Sequence, residues 1–433
     1  MPQATMPEPA DLADRLIARH FPRDGEGGLT IGGLSVAALA DTYGTPLFLY
    51  DAAVMRSAYR ALAGAVAGFA QVDYSVKANP APAVIRVFAQ EGAGAEIASG
   101  AEFEAALGAG LAADRILFAG PGKGETEIDR VVAAGIGEIH LENAEEMARV
   151  AAAARRHGRT ARVAIRINPG PEAQGGAMRM GGKPSPFGFD EEDLDAVVDA
   201  VEAEPGLALS GIHLFAGTQG LMAATLLAQW GHGLALAARV ADRIGRPLAT
   251  IDLGGGLGIP YFASDSDLDL DAIRAGVPAL ARSLAAHPGL AGARVVLEPG
   301  RYLAGPAGIY VARVRAVKVS RGTRFLITDG GLHHHLAASG NLGQVIKRDY
   351  PVSAVREAPD SPRSPCAVVG PLCTPLDMLA RATALPDLAE GDLVAVLQSG
   401  AYGLTASPTG FLSHPLPAEV LVDAGRAARI GSP

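Results

Sequence analysis

The sequence carries only two cysteines, Cys366 and Cys373, in 433 residues. That is too few for a disulfide framework and fits a reducing compartment, with the cytoplasm as the default. No basic run is present either: 37 Lys and Arg against 46 Asp and Glu give a formal net charge of -9, and the cations are never gathered into a continuous nucleic-acid surface. Nucleic acid is therefore not expected as a partner. The opening MPQATMPEPADLADRL lacks the basic region and apolar core of a secretory signal. Apolar stretches elsewhere are broken by Asp, Arg or Gly before the roughly 20 residues that a membrane span needs. A soluble chain with no membrane partner is the expectation.

What is present is an ordinary globular composition, 49% hydrophobic and 19% charged, in a chain long enough for about two domains. From about Asp51 to Ala304, short apolar runs alternate with Ala-rich segments of helical period. QVDYSV is followed by APAVIRVFAQE, AEIA by GAEFEAALGAG, RILFAG by ETEIDRVVAAG and EIHLE by NAEEMARVAAAARR. RVAIRINP, LSGIHLFAG, ATIDLGGG and ARVVLEPG complete a set of about eight candidate strands, which is the count of a parallel (β/α)8 barrel. After Gly305 the texture changes to GIYVARVRAVKVSRGTRFLITDGG, CAVVGPLC and DLVAVLQSGAY, where alternation and Gly turns predict a β domain. The expected fold is thus α/β plus β. Residues 1–46 form an N-terminal segment packing with the β domain, 47–305 a TIM-like barrel, and 306–433 a C-terminal β-barrel or sandwich.

Several strand ends carry chemistry. In QVDYSVKANP, Lys77 ends a strand, on the face where barrels build their active sites; alone, it also fits an ordinary surface lysine with a snorkelling stem. Gly254, Gly255 and Gly256 follow ATIDL directly, so bare backbone N–H groups can approach phosphate oxygens, although a plain turn would use the same triplet. The triplet lacks the GxxxxGK[ST] pattern of a nucleotide site, which disfavours ATP. VVLEPGRYLAG places Glu298 and Arg301 on one loop, where a carboxylate can hold a pyridine nitrogen protonated and a guanidinium can pair with phosphate. His333, His334 and His335 are consecutive, and the alternation of a strand or turn sends such neighbours in different directions. They are read as surface or active-site-lining residues, and no metal site is expected. Cys373 in GPLCTPLD is either a small buried apolar residue or a proton donor.

Taken in order, YSVKANP, IHLENAEE, RINPG, GIHLFAGTQ, LGGGLGIPY, EPGR, GPLC and SGAYG resemble the fold-type III pyridoxal-phosphate decarboxylases of the diaminopimelate/ornithine decarboxylase superfamily, over about residues 30 to 425. GLHHHLAASGN, GPLCTPLD and GAYGLTASPT are similar to the pyridoxal-dependent decarboxylases associated with exosortase systems. The resemblance implies an alanine racemase-like fold, pyridoxal 5′-phosphate as cofactor, and a homodimer with active sites at the interface. It implies that Lys77 holds the cofactor as a Schiff base and that Glu298 pairs with its pyridine nitrogen. Gly254 to Gly256, Arg301, Thr218 and Tyr402 would hold the phosphate, and Phe215 would stack on the ring. Cys373, from the second subunit, would protonate the product carbon after decarboxylation through an external aldimine and a quinonoid. Arg166, His213, Thr374 and Asp377 are expected at the substrate.

The sequence departs from that family where the distal end of the substrate is read. Thr374 follows Cys373 where an acidic residue is usual, and Ala337 falls where a carboxylate-binding arginine is usual. Phe215 stands where a histidine usually stacks, so the ring can be covered but not hydrogen-bonded from that side. Losing a charge-assisted partner argues against a free diamino acid. A neutral, extended or carrier-linked amino acid is expected instead, with diaminopimelate, ornithine or lysine as alternatives. An amino-acid racemase is a rival, disfavoured because racemases of this type place arginine where Glu298 stands. A non-catalytic pyridoxal-phosphate carrier would lack the β domain and its cysteine loop.

Overall fold

The computed structural model describes residues 11–170, 178–179, 184–344 and 346–430. The chain divides into two compact units. One comprises Met55–Ile259 with Ser266–Ala304, the other Met1–Val54, Pro260–Asp265 and Gly305–Pro433.

The first unit is a closed parallel barrel. Its strands run in the order Gln71–Val72 and Tyr74–Ser75 (one strand interrupted at Asp73), Ala95–Ile97, Ile116–Phe118, Glu138–Leu141, Ala161–Asn168, Leu207–Leu214, Thr250–Asp252 and Arg294–Leu297. Arg294–Leu297 pairs in parallel with Gln71–Val72, while Tyr74–Ser75 pairs with Ala95–Ile97, so the interrupted strand closes the ring. All eight apolar runs of the sequence become strands, because runs buried on both faces suit a parallel sheet covered by helices. Ala144–Arg156 shows how a helix is started and stopped: Asn143 accepts the Glu146 N–H at the N-cap, Glu145 and Glu146 sit in the first turn, and Arg155 and Arg156 in the last. Its buried face, including Val150, Ala151 and Ala154, packs inward.

The second unit is built on a mixed sheet. Gly308–Ser320 pairs antiparallel with Leu47–Asp51, Thr323–Thr328 and Leu393–Val396, and Leu47–Asp51 pairs in parallel with Ala418–Asp423. Leu47–Asp51 therefore lies in the β sheet, whereas the sequence division at residue 47 put it with the barrel. The helix Leu12–His20 lays Leu12, Leu16 and Ile17 on a core shared with Leu49, Val311, Leu397 and Val420. Among the described residues, no helix is long and apolar enough to cross a membrane.

Candidate active site

The C-terminal ends of the barrel strands gather ionisable side chains. Lys77 lies in the short 3-10 turn Val76–Ala78 that follows Tyr74–Ser75. Its Nζ stands 3.0 Å from Glu96 Oε2, and Ser75 Oγ donates to the same oxygen at 2.5 Å. Strand register explains this, since Ser75 lies opposite Glu96. Glu96 is 1% exposed, so the amine at the barrel mouth is held from below by a buried carboxylate. Lys77 Nζ also lies 6.0 Å from the centre of the Phe215 ring.

The loop of Glu298 lies against this turn. Asp73 N donates to the Leu297 carbonyl, and a side chain on Gly300 would come within 2.8 Å of Ala78 Cβ. Glu298 N donates to the Gly254 carbonyl, which ties the loop to the glycine triplet. Each glycine there is required: Gly254 and Gly256 have φ of +68° and +88°, and a Cβ on Gly255 would stand 2.3 Å from the Glu298 carbonyl oxygen. Arg301 opens the helical turn Arg301–Ala304 just beyond.

Deeper in the barrel, His140, His213, Asp252 and Glu298 bring one ligand-type atom each within 4.8 Å of one another. His213 lies between Arg166 and Asp252 in register. Its Nε2 stands 3.4 Å from Glu298 Oε2, and its ring stacks on His140 with centroids 4.3 Å apart and planes 29° apart. Such a donor set invites a cation, but imidazole lone pairs lie in their ring planes. Two stacked, nearly parallel rings cannot both direct a nitrogen at one ion about 2.0–2.1 Å away. Burial, then the neighbouring His140 and Arg166, holds His213 well below the usual imidazole range. Burial and the adjacent Glu298 push Asp252 well above the usual carboxylate range. Glu298 Oε1 is buried and has no hydrogen-bond partner among the described residues. A buried carboxyl group beside a glycine cradle fits a ring nitrogen and a phosphate, which is the pattern pyridoxal phosphate needs.

Arg166, expected at the substrate, is buried, forms an ion pair with Glu142, and lies over the Phe187 ring at 4.9 Å. Burial alone would raise Glu142, but Arg166 and Lys123 outweigh it and hold the carboxyl low. Thr218 pairs through its backbone with Met178.

Cys373, Thr374, Asp377 and Tyr402 belong to the β unit. Cys373 is exposed, and Tyr402 adopts the left-handed region with φ 54°. Asp377, expected as a substrate contact, is instead 2% exposed. Its Oδ1 accepts the Leu332 N–H at 2.6 Å and its Oδ2 the Leu372 N–H at 2.8 Å. These are the only partners of the two amides among the described residues, so the carboxylate ties the segment of Leu332 to the cysteine loop. The three consecutive histidines are also not surface groups: His333, His334 and His335 are 0%, 1% and 0% exposed. His334 is enclosed by the Tyr310 hydroxyl at 3.2 Å and the Pro415 carbonyl at 3.0 Å, and His335 Nε2 lies 2.9 Å from Ser399 Oγ.

Sequence reasoning missed Glu96, Glu138, His140 and Asp252. A signal existed, because residues 138, 140 and 142 of EIHLE alternate onto one face of a strand. Residue types alone did not say that this face turns inward.

The family described as "Pyridoxal-dependent decarboxylase, pyridoxal binding domain" matches residues 53–305. The chain is 39% identical to L-glutamyl-[BtrI acyl-carrier protein] decarboxylase of Niallia circulans, over 89% of this chain and 90% of that one. It is 32% identical to the diaminopimelate decarboxylase of Zymomonas mobilis, over 93% and 94%. In structure it is similar to diaminopimelate decarboxylase of Helicobacter pylori complexed with L-lysine, with a TM-score of 0.81 at 26% identity, covering 91% of this chain and 95% of that one.

Proposed function

The chain belongs to the pyridoxal-dependent decarboxylases and uses pyridoxal 5′-phosphate, and on that premise we propose that it decarboxylates an amino acid whose distal end is carrier-linked or otherwise lacks an ammonium group. The Asp377 clamp carries this reading. The cysteine loop has Thr374 beside Cys373, and its buried carboxylate has both oxygens occupied by backbone N–H groups, so a distal ammonium would find no charge-assisted partner there. The name of the Niallia circulans relative, whose substrate is a glutamyl group on an acyl-carrier protein, points the same way.

When bound, the cofactor supplies an electron sink for the pair left by departing CO2. In this reading Lys77 is the residue that holds it covalently, oriented by Glu96. Glu298 faces the ring nitrogen, and Phe215 covers a ring face. Gly254, Gly255, Gly256, Thr218 and Arg301 receive the phosphate. The exposed thiol of Cys373, contributed across a homodimer, returns a proton to the product carbon. Glu298 as ring partner speaks for decarboxylation over racemisation.

The test is a substrate panel. Aminoacyl groups on a carrier protein, and the same amino acids as neutral conjugates, are compared with free diaminopimelate, ornithine and lysine by CO2 release. The cofactor-linked adduct is then reduced with borohydride and weighed by mass spectrometry. Turnover confined to carrier-linked or conjugated substrates is the expected result, and fast turnover of a free diamino acid would overturn it.

A further inference from the structure

Five ionisable side chains occupy barrel positions that packing alone would fill with apolar groups. Glu138, His140, His213, Asp252 and Glu298 are 1%, 0%, 2%, 0% and 5% exposed. Burying charge costs several kcal/mol per ion unless partners compensate, so the contacts among these groups carry information.

They form one cluster of hydrogen bonds and close approaches. Ser210 Oγ donates to Glu138 Oε2 at 2.5 Å. The other Glu138 oxygen lies 3.2 Å from His140 Nε2, which stands 3.8 Å from Asp252 Oδ2. Asp252 Oδ1 accepts the Gly254 N–H at 2.8 Å, at the head of the glycine triplet. His140 stacks on His213, and His213 Nε2 reaches Glu298 Oε2. His140 thus borders both neighbours of Glu298: its Nε2 lies near Asp252, and its ring covers His213, whose Nε2 lies 3.4 Å from Glu298 Oε2, while one ligand atom each of His140, His213, Asp252 and Glu298 falls within 4.8 Å of the others.

We propose that Glu138 and His140 are positioning residues for Glu298: with Asp252 and His213 they hold its carboxyl group in the place where it faces the cofactor's ring nitrogen, and so keep that nitrogen protonated. The inference rests on the reading of Glu298 as the ring-nitrogen partner. Two carboxylates this close cannot both ionise cheaply. An anionic Glu138 takes the Nε2–H of His140, which fixes that ring edge-on to Asp252 and face-on to His213. Burial favours the neutral form of Glu138, but the contacts from His140 and Ser210 outweigh it and hold the carboxyl below the usual carboxylate range. Burial and Glu298 push Asp252 well above the usual carboxylate range, and burial, His140 and Arg166 hold His213 well below the usual imidazole range, so Asp252 is biased toward its protonated form and His213 toward its neutral one. The other charged groups acting on His213 are Arg166, Glu142 and Glu96. Arg166 and Glu142 compensate each other, and Glu96 faces Lys77.

The test uses holoenzyme reconstituted with cofactor labelled with nitrogen-15 in the ring. Nitrogen NMR across pH reads the protonation of that atom directly and without turnover. In the wild type the ring nitrogen stays protonated throughout the range in which the fold is intact. Glu138→Gln and His140→Asn should lower its titration midpoint by at least one unit, roughly tenfold in the protonated-to-neutral ratio. Ser210→Ala should shift it less, in the same direction. Cofactor bound by the variants with a wild-type nitrogen titration overturns the inference, even where the melting temperature falls, because a merely structural role would lower only the latter. Should Glu138→Gln not fold, Ser210→Ala decides the question by the same signal. Wild-type protein that fails to bind the cofactor, or binds it with a neutral ring nitrogen, would instead defeat the reading of Glu298 itself.

Discussion

Lys77 Nζ and Ser75 Oγ share one acceptor, Glu96 Oε2, at 3.0 and 2.5 Å. A single buried carboxylate therefore fixes both the turn and the amine it presents. Glu96→Gln keeps the shape but loses the charge, and the amine loses its locator. Misplacing a reacting group by about 1 Å costs on the order of 10²-fold in rate, which is the fall in kcat expected of Glu96→Gln. Lys77→Ala should lose both the visible absorbance of the bound cofactor and all turnover. Single-turnover CO2 release beside an absorbance spectrum checks both, and a Glu96→Gln enzyme at wild-type rate would remove Glu96 from this role.

Asp252 and Glu298 differ in what a neutral replacement should do. Asp252 is held as the acid, so Asp252→Asn copies its charge state and should change stability below about pH 4, where the unfolded carboxyl is protonated too, by no more than about 1 kcal/mol. Glu298→Gln removes the anion at the ring nitrogen and should cost roughly 10²–10³ in kcat, the range for losing one preorganised electrostatic contact. The pH dependence has a definite sign. Because the folded state raises Asp252, its stabilising contribution is complete below the unfolded carboxylate range near about 3.9 and is lost as pH rises toward the folded value. Asp252→Asn lacks that loss, so it should gain on the wild type between pH 5 and pH 8 in urea denaturation. A stability difference independent of pH would show that Asp252 is not held protonated.

The three consecutive histidines give the opposite slope. Burial, followed by His414 at His333 and by His333 at His334, lowers His333 to about 4 and His334 to about 3, and burial alone lowers His335 to about 3. A histidine depressed in the folded state contributes stability above its unfolded value, near 6.5, and loses it as pH falls toward the folded value. Unfolding then takes up as many as three protons, at most about 4 kcal/mol per pH unit between pH 6 and pH 4. His335→Gln, which can still bond to Ser399, should remove about one third of that slope. Thermal melts in that window check it, and an unchanged slope would mean that these rings are not held neutral.

The barrel was legible because each of its strands is a short apolar run with a helical segment behind it, and QVDYSV or RILFAG reads the same in isolation as in place. Leu47–Asp51 was not, since LFLYD is buried throughout and such a run names no partner. Its place follows from register with residues 308–311 and 418–422, far away in sequence. At the site, Lys77, Glu298 and the glycine triplet stood out because their residue types are rare at strand ends. Glu96 and Asp252 did not, because an acid after an apolar run also suits a surface loop and only barrel closure turns it inward. The histidines misled for a related reason. Local alternation predicts divergence, but enclosure by Tyr310, Ser399 and Pro415 comes from segments that sequence spacing does not bring near.

The two cysteines should separate cleanly. Cys366 is buried, its thiol is raised by burial, and it donates to the Thr383 carbonyl at 3.5 Å, whereas Cys373 is exposed. One thiol should react rapidly with a maleimide in the native protein, and peptide mapping should find it at Cys373. If Cys373 returns the proton to the product carbon, Cys373→Ala should lower kcat by about 10²–10⁴-fold, the range for loss of a positioned acid, while Cys366→Ala leaves kcat unchanged. Stereochemistry in deuterated water supplies a second readout, since product from Cys373→Ala should carry deuterium on both faces of the former α-carbon. Equal turnover of the two variants would put the proton donor elsewhere.

Thr374 offers the most direct test of the substrate reading. The loop is held by Asp377, whose oxygens both accept backbone N–H groups, and Thr374 Oγ1 accepts the Leu376 N–H at 3.3 Å. Thr374 is partly exposed, so a carboxylate can be introduced there without burying it. Thr374→Asp would restore an anion directly after Cys373 while leaving the Asp377 clamp intact, and the shorter acid can still accept from Leu376. A charge-assisted hydrogen bond is worth roughly 1.5–3 kcal/mol, so kcat/KM for free ornithine or lysine should rise at least about tenfold over wild type. Turnover of a carrier-linked substrate should fall or stay level, because no ammonium is there to be paired. The companion variant Asp377→Asn should not show this switch. An amide presents one acceptor to two N–H groups, so it should destabilise the loop by about 1–3 kcal/mol and lower activity on every substrate alike. Equal gains on all substrates in Thr374→Asp, or no gain on diamino acids, would mean that the residue after Cys373 does not read the distal end.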